Sequence, residues 1–325
     1  MRHLTRKDHV VCFCWLWAGA AVLVLLTPQR VAAVEVIVAV KSVEAGPFAD
    51  AFQGFKEALT KSGARVTISE YTVKEGGREE AKILSDIKQR RPALILTLGS
   101  AATTWIYRQV QDLPIVFCMV LNPVASGFVQ TMQSSGNNLT GASLDIPVGL
   151  QFETLKAVVP SIKKVGVLYN PQETGQVVSA AAQVAADMGL ELIAIPVSSA
   201  EKLQETLDHH KKQLDALWSV ADSTVFASDR ATEFLLRKTL EYKLPFMGLS
   251  PGFVKAGALL ALSVDYADVG AQCGEQAAQV LAGRPPPSLP ITVPRRVTLY
   301  LNLNVAKAIG VAIPPRTMEG AVVLR

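Results

Sequence analysis

An α/β protein of two doubly wound parallel-sheet lobes with a cleft between them is predicted by three features of the sequence. Strand-like runs alternate with helical patterns of about 10 to 15 residues, a rhythm that requires parallel pairing through right-handed crossovers. The same order of elements occurs twice. The two copies are offset by roughly 125 to 130 residues, far beyond the about 20 to 50 of a solenoid repeat, so they are two similar lobes and not a stack of small units.

The first copy opens with the β-branched run VEVIVAVKS (Val34 to Ser42), which breaks into polar and turn residues. The helical stretch PFADAFQGFKEALTKSG follows, then the strand ARVTISEY, the helix GREEAKILSDIKQR, the apolar strand ALILTLGS, the helix AATTWIYRQVQDL and the strand PIVFCMV. The second copy starts at KKVGVLYNP (Lys163 to Pro171) and continues through TGQVVSAAAQVAADMG, LELIAIPV, SAEKLQETLDHHKKQL, DALWSVADS, TVFASDRATEFLLRKTLEYK and LPFMGLS. Gly63 answers to Gly189, Ala93 to Ala216 and Pro114 to Pro245. Open sheets of this kind bind ligands beyond the carboxyl ends of their strands, where the strand order reverses. Two such edges facing one another place the site between the lobes.

Composition narrows the class. The chain has 325 residues, 50% hydrophobic and 18% charged, enough for two cored domains and far from a disordered composition. Its formal net charge of +4 lies partly in Arg2, Arg6 and Lys7, and no later basic stripe interleaves with aromatics, so nucleic acid is not an expected partner. Those basic residues precede VVCFCWLWAGAAVLVLL and the small residues Val31-Ala32-Ala33, the layout of a secretory signal peptide over residues 1–33. An uncleaved anchor is the alternative, because the apolar run nearly reaches spanning length. Cys12 and Cys14 lie at its beginning, so no lipid-attachment site ends it. Cys118, in a strand, and Cys273, in a helix, are expected as separate buried thiols. No CxxC, HExxH or paired Cys and His spacing is present, so neither a metal nor another cofactor is expected.

Gly248-Leu249-Ser250-Pro251-Gly252 matches the G-x-S-x-G nucleophile elbow, but no His follows it and Pro251 removes a backbone donor from the oxyanion hole. His209 and His210 fall on a lysine-rich surface helix. No hydrolase, and no enzyme, is expected. What recurs is small polar residues between strand ends and helix starts: Gly99-Ser100-Ala101 after ALILTL and Ala221-Asp222-Ser223-Thr224 after DALWSV. Ser100 and Ser223 read as helix N-caps, whose neighbouring N–H groups attract a carboxylate or phosphate. Asp222 reads as an acceptor for an ammonium or hydroxyls, or else as a local turn former. Asp265 and Tyr266 end a further strand, and Phe48 is either a cleft wall or the first core residue of its helix.

With these features the chain resembles the substrate-binding proteins of ABC transporters, in the family that includes tryptophan- and branched-chain-amino-acid-type binders with a type I periplasmic-binding fold. The resemblance is carried by PIVFCMVLNPVASGFV (Pro114 to Val129), NLTGASLDIPVGLQFETLKAVVPSIKKVGVLYNP (Asn138 to Pro171), GALLALSVDYADVGAQCGEQAAQVLAG (Gly257 to Gly283) and LNLNVAKAIGVAIPP (Leu301 to Pro315). It implies a cleft lined by Ser42, Phe48, Ser100, Ala101, Asp222, Ser223, Thr224, Ser250, Asp265 and Tyr266. VADST and GLSPG depart from a commoner Asp-Asn turn and a more acidic loop. The implied lobes are 34–121 with 266–290, and 122–265 with 291–325, crossing first at Asn122-Pro123. The implied function is a periplasmic, monomeric binder that passes a small polar metabolite, such as an amino acid, to an ABC permease in the inner membrane. The alternative is a periplasmic sensor that presents its liganded form to a signalling receptor.

Overall fold

The computed structural model describes residues 34–73 and 79–325. The export signal expected over residues 1–33 lies outside them. The first lobe runs β1 (Glu35–Lys41), α1 (Gly46–Lys61), β2 (Val66–Thr72), α2 (Glu79–Arg90), β3 (Leu94–Leu98), α3 (Ser100–Gln109), β4 (Ile115–Val120) and β5 (Leu139–Ser143). Its five strands are all parallel, in the order β2-β1-β3-β4-β5. β3 and β4 are buried along their whole length, which is why LILTL and IVFCMV read as unbroken apolar runs.

The second lobe continues with α4 (Val148–Val158), β6 (Lys164–Tyr169), α5 (Pro171–Asp187), β7 (Glu191–Pro196), α6 (Leu203–His210), β8 (Ala216–Trp218), α7 (Asp229–Glu241), β9 (Phe246–Gly248), α8 (Pro251–Ala256) and β10 (Leu260–Val264). After α9 (Tyr266–Leu281) come β11 (Val297–Asn302), α10 (Leu303–Ile309) and β12 (Val322–Leu324). Seven strands form the second sheet in the order β12-β11-β10-β9-β8-β6-β7. Local chemistry sets several helix starts. Asn170 caps α5 ahead of Pro171, Ser228 caps α7, and Asn302 caps α10.

Three expectations need correction. The chain does not leave the first lobe at Asn122-Pro123, because β5 pairs with β4. The first crossing therefore comes after Ser143, through Leu144 to Pro147. On the return, Ile291 lies in the first lobe's core and Thr292 still pairs with the first sheet, its carbonyl accepting from Ser143 at 2.9 Å. The crossing back follows Thr292, and β11 then enters the second sheet antiparallel to β10, the exception to the parallel rule.

α9 packs along α1 and against β4 and β5 of the first lobe. The two helix backbones nearly touch: a Cβ at Gly270 would lie 1.8 Å from the Ala51 carbonyl oxygen, and one at Gly54 would lie 1.9 Å from that of Ala267. Only glycine permits that approach. Apolar clusters fill both faces of each sheet, as a doubly wound fold requires.

Candidate functional site

In the first sheet the strand order reverses between β1 and β3, and the loops after those two strands meet. Gly99 is the N-cap of α3, with φ of 94°, and has no side chain to cap with. Ser42, just past β1, supplies the missing acceptor: its Oγ takes the Ala102 N–H at 2.9 Å. A Cβ on Gly99 would stand 2.6 Å from that Oγ and 2.9 Å from Cε1 of Phe48. Ser42, Phe48, Ser100 and Ala101 are thus gathered at one strand-end wall. Ser100 is the first helical residue and not the cap expected from sequence. It and Ala101 are exposed, and their N–H groups belong to the helix turn that has no internal acceptors.

The matching point in the second sheet lies between β6 and β8, and there Asp222 takes the turn-forming alternative and not the ligand-holding one. Asp222 is only 2% exposed. Its Oδ2 accepts from the Asn170 N–H at 2.7 Å and the Thr174 hydroxyl at 2.6 Å, and its Oδ1 accepts from the Thr224 and Val225 N–H groups at 3.0 Å each. Four bonds fill the roughly four acceptor positions of a carboxylate. Asp222 is a staple between the two loops and offers nothing to a ligand. Thr224 accepts from the Asn170 side chain at 2.8 Å, and Ser223 donates its hydroxyl to Glu173 at 2.8 Å. Ser223 caps no helix, because α7 begins after Ser228, whose Oγ accepts from the Ala231 N–H.

Between the lobes, at the crossings, lie two adjoining cavities of about 310 and 140 Å³ that share Leu121, Leu144, Ile146, Leu249 and Leu262. Trp218, Val220, Met247 and Val177 extend the larger one, and Ser250 and Tyr266 line the smaller. Gln151 fixes the indole of Trp218 by accepting from its Nε1 at 2.7 Å. Leu121 remains 39% exposed, an apolar side chain waiting for cover. Burial raises the Tyr266 hydroxyl's pKa above its ordinary value. Asp265 belongs elsewhere. It caps α9 by accepting from Asp268 N–H, pairs with Arg296 at 3.4 Å and faces the groove along α1 and α9.

The carboxylate that does line the larger cavity is Asp145, in the crossing segment. Both its oxygens accept from the Asn122 N–H, at 3.0 and 2.8 Å, and Oδ2 also takes the Ser143 hydroxyl at 2.7 Å. Three contacts leave one acceptor position open, and no Lys, Arg or His among the described residues pairs with it. Burial pushes its pKa up, against the opposing pull of those hydrogen bonds. The backbone that presents Asn122 is itself irregular. The register of β4 against β5 shifts between Phe117 and Val120, and Met119 and Asn122 have φ of 60° and 49°. Bulges and left-handed residues of this kind gather beside functional sites, where they re-aim a strand end.

Sequence reasoning missed Asp145, Trp218 and Gln151. The available signal was a lone acid in the otherwise apolar stretch GASLDIPV, immediately after a strand. Chemically the floor combines a partly desolvated anion with apolar walls, which suits a cation carried on an apolar body. Among the described residues Ser250 has no histidine beside it, since His209 and His210 stand together on α6. Among the described residues no cluster of His, Cys, Asp and Glu could hold a metal ion.

Comparison with known proteins agrees with this architecture. A tyrosine-binding protein of Clostridioides difficile (strain R20291) is 24% identical over 263 residues, 79% of this chain and 75% of that protein. Among solved structures, a ligand-free, open substrate-binding protein with adhesive properties from Clostridium difficile matches at a TM-score of 0.75 and 23% identity, over 90% of this chain and 99% of the other. An ABC domain in complex with L-Trp from Streptococcus pneumoniae matches at 0.66 and 23%, over 90% and 100%. Residues 33–322 match the family described as ABC transporter substrate binding protein, nearly the whole of the two-lobed structure, and the chain belongs to that family.

Proposed function

We propose that the chain is the solute-binding component of an ABC importer and that its interlobe cleft captures an amino acid with an apolar side chain. Family membership makes it a substrate-binding protein and not an enzyme. The observation that carries the ligand class is Asp145, a carboxylate with an open acceptor position and no paired cation among the described residues, set among Leu144, Ile146, Val220, Met247 and Trp218. An ammonium supplies the missing charge, and the apolar lining accepts the side chain. The N–H groups at the start of α3 suit the ligand's carboxylate. The relatives that bind tyrosine and L-Trp support the same reading. It narrows the polar metabolite expected from sequence, since the polar groups needed are those every amino acid carries while the rest of the larger cavity is mostly apolar, with Asn122, Gln151 and Ser219 its other polar residues.

Substrate-binding proteins of this family work outside the cytoplasmic membrane. No helix among the described residues is long and apolar enough to cross a membrane. On the proposed reading, residues 1–33 direct export and are cleaved near Ala33. The loaded protein then acts as a monomer in the periplasm and delivers its ligand to the permease. The test is calorimetric titration of the purified protein with tryptophan, tyrosine, phenylalanine and leucine, and with N-acetyl-tryptophan. Free amino acids should bind and the acetylated one should not, because it lacks the ammonium. Binding of none of them, or equal binding of the acetylated compound, would sink the reading.

A further inference from the structure

Cys118 in β4 and Cys273 in α9 lie far apart in the chain but in one apolar cluster, 1% and 0% exposed. The sequence suggests two separate thiols, and the fold brings them together. The Cys273 Sγ reaches the Phe117 carbonyl at 3.6 Å, beside Cys118, and the Cys118 Sγ reaches the Val269 carbonyl at 3.9 Å, one helical turn before Cys273. Each thiol is therefore directed at the element that carries the other. Burial, reinforced by a hydrogen bond from Cys118, holds the Cys273 thiol well above its ordinary pKa.

We propose that Cys118 and Cys273 are a disulfide-forming pair, joined as the chain folds by exchange with a protein or small-molecule disulfide. One cysteine thiolate attacks the reagent's S–S bond, forming a mixed disulfide and expelling one reagent thiolate. The other cysteine thiolate then displaces the second reagent thiolate and closes the Cys118–Cys273 bond. The two cysteines lose two electrons and two protons, and the reagent disulfide is reduced to two thiols. Timing follows from burial. In the folded protein both sulfurs are covered, 1% and 0% exposed, so exchange belongs to the stage before α9 docks on β4. The bond would clamp α9, which begins where the chain leaves the second lobe, to the first sheet, and would confine movement of the lobes to the crossing segments. Because it closes a very long loop, its effect on the unfolded chain is large.

The test uses the full chain with Cys12→Ser and Cys14→Ser, reduced and unfolded, then refolded in excess oxidised glutathione or in a reductant. Alkylation and peptide mapping should show one crosslinked Cys118–Cys273 peptide, lighter by two hydrogens, only in the oxidised sample. That sample should melt at a higher temperature than the reduced one, and the Cys118→Ala, Cys273→Ala chain should melt alike in both. Complete alkylation of both cysteines after oxidative refolding to the native circular-dichroism spectrum would overturn the proposal. So would a crosslinked chain that fails to regain that spectrum, or identical melting of the oxidised and reduced chains.

Discussion

Replacing Asp145 by Asn separates binding from folding. The carboxylate spends three contacts on Asn122 and Ser143 and lines the cavity with no Lys, Arg or His among the described residues paired to it. If a ligand ammonium takes the open position, the lost interaction is a hydrogen bond between charged groups, worth about 1.5 to 3 kcal/mol. At 1.4 kcal/mol per factor of ten, the dissociation constant should rise by roughly 10- to 150-fold. The ligand-free protein should melt at an unchanged or slightly higher temperature, because burial already disfavours the ionised form. The sign can be checked by pH. A raised carboxylate pKa means that the folded chain holds this proton more tightly than the unfolded one. Asp145 therefore contributes most to the ligand-free fold when protonated, and that contribution is lost as pH rises from the ordinary carboxylate range through its raised pKa. Binding of an ammonium runs the other way, and affinity should weaken as pH falls below that raised value. Titration of wild type and Asp145→Asn across this range is the assay. Equal dissociation constants, or a wild-type profile that does not weaken in acid, would remove Asp145 from the site.

Three further outcomes follow from the same structure. Asp222→Asn should leave affinity nearly unchanged but lower stability by about 1 to 3 kcal/mol in denaturant unfolding, because an amide NH₂ would face N–H and O–H donors that now share a carboxylate. Gly270→Ala should destabilise at or above the top of the about 1 to 3 kcal/mol typical of overpacking, since the added methyl meets the Ala51 carbonyl, and a normal melting curve would contradict the α1–α9 contact. Ser42→Ala should remove the cap that α3 borrows across the loop, at about 1 kcal/mol, and an unaltered unfolding midpoint would show that water replaces it.

The lobes were legible because parallel strands covered on both faces must be apolar throughout, and VIVAV, LILTL and IVFCMV could serve as little else. β5 was not, because LTGAS is short, half polar and follows a long irregular stretch, so the sequence reading moved the crossing to Asn122. That error hid Asp145. Placed beyond the hinge, it drew no attention in the sequence, whereas the added strand carries it to the cavity's lining. Asp222 failed for the opposite reason. A carboxylate after a strand is visible in the sequence, and so is its turn with Thr224 and Val225, but the two donors that complete its saturation, Asn170 and Thr174, come from a loop and helix some fifty positions upstream. Whether an acid is free or spent depends on how many donors converge on it, and convergence is a tertiary property.

The two lobes show that difference within one molecule. Their strand-order reversals are equivalent by duplication, yet the first keeps exposed N–H groups at Ser100 and Ala101 while the second is closed by Asp222 and its four donors. Duplication alone implied two matched walls, with an anion-holding end facing an ammonium-holding end. On the proposed reading the anion-holding end is the start of α3 in the first lobe, and the acidic partner is Asp145 in the crossing segment instead of Asp222 on the second lobe's wall. A ligand gripped in this way takes both polar contacts from the first lobe and the crossing. The second lobe is left to contribute apolar surface from Val220, Met247 and Trp218. Hydrophobic surface of that kind discriminates weakly between apolar side chains, so on the proposed reading substitutions at Val220, Met247 or Trp218 should shift side-chain preference while the requirement for the ligand's ammonium stays.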